Sequence, residues 1–185
     1  MQLVDKKFVK NNEAEIIKAI HDGKIFIYPT DTIYGLGANA LNTGAVLAIR
    51  EIKQRPSKAL SVIAPSIEWI RENCMMNDEV EKNLKKLPGP FTFFLNLKNQ
   101  RCVSQEINPL DEKTLGVRIP KHWFTKIIQK AGVPFITTSA NMSDESYMRG
   151  IEDLDKGIKE AVDYIVYEGV INGEESTKID LTDIK

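Results

Sequence analysis

Short apolar runs alternate along this chain with stretches whose apolar residues recur every three or four positions. The first pattern is that of strands and the second that of helices, and their interleaving confines the chain to a sheet flanked by helices. Lys24 to Tyr28, Leu60 to Ala64, Phe91 to Leu97, Thr114 to Ile119, Pro134 to Thr138, Tyr164 to Tyr167 and Thr177 to Leu181 are predicted strands. Glu13 to His21, Ala45 to Lys53, Ser66 to Cys74, Asp78 to Leu87, Trp123 to Lys130 and Ile151 to Val162 are predicted helices, with Asn11 or Asn12 capping the first and Thr43 the second. Asn99 to Glu112 is polar and reads as irregular. Some connections are too short for a helical crossover, so the sheet must mix parallel and antiparallel neighbours. The expectation is one α/β (α+β) domain over residues 1–185.

Composition narrows the partners. With 185 residues, 42% of them hydrophobic, the chain can bury a core without disulfides or a structural metal. Its formal net charge is −1, so a polyanion would have to be held by a local cluster of Lys and Arg. Cys74 and Cys102 lack CxxC spacing and a nearby His, and read as reduced and structural. No apolar run approaches the ~18 residues of a membrane span, and Met1 to Lys10 mixes charge into its apolar positions, unlike a signal peptide. A cytoplasmic protein without a membrane partner is expected.

Several familiar motifs fail. Gly35-Leu-Gly37-Ala-Asn-Ala40 fits GxGxxG/A, but it does not follow its strand at once, and Lys53 and Arg55 stand where an acid should hold a ribose. Gly35 and Gly37 are more simply turn glycines. GxxxxGK[ST], GxSxG and HExxH do not occur. With only His21 and His122, a Ser-His-Asp triad or an all-protein metal cage is not suggested.

What remains is a set of polar loops at strand ends: Thr30 to Tyr34, Thr137 to Asn141 and Glu175 to Thr177. Any one of them alone is an ordinary turn. The basic residues Lys53, Arg55 and Lys58 follow a predicted helix, and Arg118 lies between Val117 and Ile119 in an apolar strand. An arginine there either reaches the solvated face or points into a cleft toward an anion, for which its planar fork is suited.

Pro29-Thr-Asp-Thr-Ile-Tyr-Gly35, Lys53-Gln-Arg55-Pro56, Pro88-Gly-Pro-Phe-Thr92, Gly116-Val-Arg-Ile-Pro120, Thr138-Ser-Ala-Asn141 and Glu175-Ser-Thr177 together resemble the YrdC family in order and spacing. The resemblance runs from about Glu13 to Leu181 and does not include the additional C-terminal domain of longer relatives. It implies a twisted mixed sheet with a large concave cleft and the activity of an L-threonylcarbamoyladenylate synthase. Such an enzyme converts L-threonine, bicarbonate or CO2 and ATP, with Mg2+ on the phosphates, to threonylcarbamoyl-AMP and pyrophosphate, toward the t6A modification of tRNA.

Carried over by position, the resemblance implies that Lys53 and Arg55 are catalytic. Arg55, Lys58, Thr114, Asn141 and Arg149 would lie at ATP, and Thr32, Arg118, Ser139 and Ser176 at threonine, with Arg118 gripping the carboxylate bidentately. The chain departs from the family pattern after Pro56, which is about one residue short, at Ser143 to Ser146, and at Lys178, where an apolar residue is common. Two other readings stand beside this one: a non-catalytic module binding double-stranded RNA or tRNA, and a relative acting on another carbamoyl adenylate, as in hydrogenase maturation. As an enzyme, the chain would also meet the proteins that transfer its product to tRNA.

Overall fold

The computed structural model describes residues 1–111, 113–142 and 145–183. In chain order its elements are β1 (Gln2–Val4), α1 (Lys6–Asn11), α2 (Glu13–His21), β2 (Phe26–Tyr28), β3 (Gly35–Gly37), α3 (Thr43–Lys53), β4 (Ser61–Ile63), α4 (Ile67–Asn73) and α5 (Asp78–Leu84). There follow β5 (Phe91–Asn96), β6 (Thr114–Arg118), α6 (Thr125–Ala131), β7 (Phe135–Ser139), α7 (Lys156–Ala161), β8 (Tyr164–Val166) and β9 (Thr177–Asp180). The polar stretch from Asn99 to Asp111 is irregular apart from single 3-10 turns at Gln100–Cys102 and Gln105–Ile107, and Glu112 lies outside the described residues. The strands form one nine-stranded sheet in the order β1-β8-β2-β3-β7-β4-β6-β5-β9. Its directions are mixed: β4 runs parallel to β6 and antiparallel to β7.

Several elements differ from the sequence expectation. β1 and α1 are too short to show a period; β1 is set by parallel pairing with β8, and Asp5 caps α1 by accepting from the Phe8 amide at 2.7 Å. Gly35 and Gly37 are not turn glycines but form β3, antiparallel to β2. A Cβ on Gly37 would lie 2.0 Å from the Ile136 carbonyl oxygen, so close approach of β7 requires the glycine. Asn42 rather than Thr43 caps α3, accepting from the Ala45 amide at 3.1 Å, while the Thr43 hydroxyl bonds Ser104. The helix predicted over residues 151–162 is broken: a 3-10 turn at Ile151–Asp153 precedes α7, which Asp155 caps.

The two faces of the sheet are covered unequally, and this positions the site. One face packs against α3, α4, α5 and α7 through residues such as Val46, Ile49, Ile70, Val80, Leu84 and Ile158. On the other face, Ile16 and Ile20 of α2 and Ile127 and Ile128 of α6 close over an aromatic cluster of Phe26, Tyr28, Phe124 and Phe135. Phe135, Thr137 and Ser139 project to one side of β7 by strand alternation. Phe135 lies under the helices, whereas Thr137 and Ser139 lie beyond them and open on a cavity. The site is the part of this face that no helix covers.

Residues 167–176 carry the chain from β8 to β9, seven positions away in the sheet order. At ~4.8 Å per strand that is at most about 34 Å along the sheet, near the extended reach of so short a segment. It therefore runs as a strap along the cavity side. A Cβ on Gly173 would lie 1.7 Å from the Thr32 carbonyl oxygen, so the strap rests directly on the loop after β2. Among the described residues no helix is long and apolar enough to cross a membrane.

Candidate active site

The cavity has a volume of about 610 Å³ and is lined by strand and loop residues from across the sheet centre. Of the residues singled out in the sequence, Arg55, Lys58, Arg118, Ser139, Asn141 and Ser176 line it. Glu145 and Glu175 supply its carboxylates, and Phe94, Ala59 and Leu60 give it an apolar patch. This size and mixture suit a small polar ligand, since such pockets run from ~300 to 1,000 Å³.

One wall is organised by Lys53, which is fully buried at the end of α3 and lies beneath the lining rather than on it. Its ammonium donates to the Ser139 carbonyl at 2.8 Å, the Asn141 carbonyl at 2.5 Å and Asn141 Oδ1 at 2.6 Å. The Ser139 hydroxyl also donates to Asn141 Oδ1, at 2.5 Å, and Asn141 Nδ2 donates to the Glu145 carbonyl at 2.6 Å. The Asn141 amide is thereby fixed in one orientation. Burial, with the nearby Arg55 cation, pushes the Lys53 ammonium down to about 7, while Glu175 opposes the fall. In the ammonium form the three N–H groups of Lys53 match these three oxygens one for one.

Arg55 and Lys58 reach the cavity from the loop after α3, and Arg50 fixes that loop. Buried Arg50 donates through Nη1 to the carbonyls of Arg55 at 2.9 Å and Lys58 at 3.1 Å, and through Nε and Nη2 to those of Glu106 and Ile107. Lys58 thus keeps its place at the cavity although this loop is short.

The facing wall is organised by Arg118, whose side chain is 7% exposed. Its Nη2 donates to Asp31 Oδ1 at 2.8 Å and to the Thr32 hydroxyl at 3.2 Å. The other Asp31 oxygen accepts from the Lys121 amide at 2.8 Å. Arg118 Nε is buried without a protein partner among the described residues. Burial lowers the guanidinium pKa, and Asp31 opposes that shift. The bidentate grip expected of Arg118 is therefore partly taken up: one terminal nitrogen is held by the protein, and Nε remains as an unmatched donor in a side chain lining the cavity. The Thr32 hydroxyl bonds Thr30 at 2.9 Å and sits behind it, so that Thr30 rather than Thr32 lines the cavity. Ser176 bonds the Thr92 hydroxyl at 2.8 Å, and both line it.

Two predicted residues are not brought to this cavity. The Thr114 hydroxyl, at the start of β6, is engaged by Asp111 and Asn108 and is absent from the lining. Arg149 is exposed, with its guanidinium 5.8 Å from the Tyr147 ring centre. Of the nearby departure from the family pattern, Ser143 and Asp144 lie outside the described residues. Both cysteines are buried and free; burial pushes the Cys74 thiol up to about 12 and the Cys102 thiol up to about 11, which leaves them unreactive.

The sequence reading places Thr30, Asp31, Thr92 and Thr137 inside its polar loops and motifs but gives none of them a role of its own, and it gives Arg50 none either. The period-two pattern of β7 links Thr137 to Ser139, and Asp31 and Thr30 stand inside the loop motif after Tyr28. Arg50 carried no signal beyond the scarcity of arginine in this chain.

The family model for Sua5, YciO and YrdC proteins, described as "Telomere recombination", matches residues 18–185. The chain belongs to this family. A Methanocaldococcus jannaschii family member, provisionally named a threonylcarbamoyl-AMP synthase, is 36% identical over 154 residues, covering 80% of this chain and 70% of its own. The threonylcarbamoyl-AMP synthase of Xanthomonas campestris pv. campestris is 32% identical over 160 residues, covering 82% and 80%. The structure of P. abyssi Sua5 complexed with L-threonine superposes with a TM-score of 0.85 at 30% identity, over 99% of this chain. The chain spans 54% of that Sua5. E. coli YciO shares the fold with a TM-score of 0.84 at 21% identity, covering 99% of this chain and 90% of its own.

Proposed function

We propose that this member of the Sua5/YciO/YrdC family is an L-threonylcarbamoyl-AMP synthase. The observation that carries this reading is the pairing of two hydrogen-bonded hubs, Lys53–Ser139–Asn141 and Arg118–Asp31–Thr32, at the walls of one cavity. Its close relatives carry that activity in their names, and the related Sua5 was solved with L-threonine.

In this reading the threonine amine adds to CO2 and loses a proton, giving a carbamate. A carbamate oxygen then attacks the α-phosphorus of ATP in line, and the bond to the β-phosphate oxygen breaks to release pyrophosphate. Such chemistry needs positioning and charge stabilisation rather than a covalent nucleophile. Arg55 and Lys58 would hold the triphosphate, and Lys53 would add positive field from beneath while locking Asn141. Arg118 Nε would meet the threonine carboxylate, with the Ser176 and Thr92 hydroxyls close to its amine and side chain. Thr114 and Arg149 have no part in this scheme.

Mg2+ would enter with ATP. Among the described residues no group of three or more His, Cys, Asp or Glu could hold a metal ion, and the cations facing the cavity suit phosphates rather than a bare ion. When bound, the ion neutralises phosphate oxygens. The product would pass to cytoplasmic proteins that build t6A on tRNA.

The test is pyrophosphate release, with mass spectrometry of the adenylate. Release should require ATP, threonine and bicarbonate together, and release without threonine would overturn the reading. Salt-sensitive binding of duplex RNA with no pyrophosphate formed would favour a nucleic-acid module instead. A site that hydrogen-bonds the threonine hydroxyl should reject valine by on the order of 10⁴ but serine by only ~10 to 200. Valine competing as well as serine would exclude such a site.

A further inference from the structure

Glu175 and Lys178 line the same cavity as Arg55 and Lys58 but belong to neither hub. Lys178 Nζ donates to Glu175 Oε2 at 3.1 Å, and the two side chains are 61% and 51% exposed. An exposed pair of this kind contributes little to folding and exchanges readily with a better partner. The backbone around it is anchored: the Ser176 hydroxyl bonds Thr92, the Thr177 amide donates to the Pro90 carbonyl at 2.9 Å, and Tyr147 donates to the Gly173 carbonyl at 3.3 Å. A fixed main chain therefore presents a movable carboxylate at the cavity lip.

Lys178 stands directly opposite Thr92 in the β5–β9 ladder, on the face that bears the cavity. Beyond β9 the sheet ends. A carboxylate drawn to Lys178 is thus drawn to the edge of the site, away from the loop that carries Arg55 and Lys58. In the other direction Glu175 lines one cavity with Arg55 and Lys58, and all three act on the buried Lys53 ammonium, which Glu175 favours while Arg55 and Lys58 disfavour it. Of the two carboxylates lining the cavity, Glu175 is the one that shares a field with these three cations, whose arrangement suits phosphate.

We propose that Glu175 is an internal anion that competes with the substrate triphosphate for the cations of the cavity, and that Lys178 is the latch that holds it aside. The identity of the anion rests on the function proposed above; the competition does not. Lys178 acts through Glu175 and is a positioning residue. Without it, the carboxylate turns inward and repels incoming phosphate, and without Glu175 the latch has nothing to hold.

The experiment is a binding titration of the full chain with ATP–Mg2+ and, separately, with inorganic pyrophosphate, in the absence of threonine. Glu175→Gln should tighten both ligands by about three- to tenfold, the effect of removing one like charge at partly screened range. Lys178→Ala should weaken both by a similar factor. The double variant should recover most of the loss seen in Lys178→Ala, because the latch acts chiefly through the carboxylate. Glu174→Gln removes the same charge from an exposed neighbour outside the lining and should leave binding within about twofold.

Unchanged or weaker binding by Glu175→Gln would overturn the proposal. So would a loss from Lys178→Ala that persists undiminished in the double variant, since Lys178 would then be a direct phosphate ligand. Because the titration needs no turnover, failure of the synthase reading would show separately, as pyrophosphate release that ignores threonine and bicarbonate.

Discussion

Lys53 and Arg118 are both buried cations at one cavity, but they are compensated in opposite ways. The ammonium of Lys53 donates to neutral oxygens of Ser139 and Asn141, which satisfy its hydrogen bonds without themselves supplying opposite charge. The guanidinium of Arg118 meets the carboxylate of Asp31, so much of its charge is cancelled while Nε is left unmatched. One wall therefore supplies field, which suits a polyanionic phosphate, and the other supplies a directional donor, which suits a single carboxylate held in register.

The largest effect should come from breaking the compensated pair. Asp31→Ala leaves a charged arginine buried without its partner and should lower the unfolding free energy by about 3 to 5 kcal/mol. Adding Arg118→Met to the same chain should recover most of that loss in a urea unfolding curve, yet restore no threonine binding. If the double variant stayed as unstable as the single one, Asp31 would matter for the Lys121 turn and not for Arg118.

The field-supplying wall predicts the reverse pattern at its exposed end. Arg55→Ala should cost at least about tenfold in pyrophosphate release, since a charge-assisted hydrogen bond is worth ~1.5 to 3 kcal/mol. Its effect on stability should be below about 1 kcal/mol, because the loop remains fastened through backbone carbonyls to Arg50. Equal losses of activity and stability would make Arg55 a structural residue and erase the contrast between the walls.

The same contrast explains what could be read from the sequence. Apolar runs and helical periods give most of the sheet, including the three-residue β2, β4 and β8; β1 is an apolar pair between Gln2 and Asp5, and β3 is one leucine between two glycines, so neither shows such a run. Motif order gathers Arg55, Lys58, Arg118, Ser139, Asn141 and Ser176, which do share the cavity. It does not separate a lining side chain from one just behind it. Thr32 and Lys53 are one layer too deep, and that depends on which atoms each bonds. Thr114 lies on the right strand, but local bonds to Asp111 and Asn108 hold its hydroxyl at the strand's start. Asp31 is the opposite case: its role comes from contact with residues some ninety positions away, which no local pattern contains.

The effect that is smallest per step of the experiment, and the one that tests the charge of Lys53 directly, is the change in folding stability over a single pH unit. An unfolded lysine titrates near ~10.4, whereas burial holds folded Lys53 down at about 7. Between those values the unfolded chain binds more protons than the folded one, so stability rises with pH across that window. Below about 7 the full cost of burying the ammonium is present, and it is relieved as the pH climbs toward the unfolded value. The slope should be on the order of 1 kcal/mol per pH unit at most, the limit for one proton. In Lys53→Met this component should vanish, and the remaining slope should be that of the other groups. The same slope in parent and variant would mean that the three oxygens keep the ammonium charged far above neutrality. The field of that wall would then be permanent, sharpening its difference from the Arg118 side.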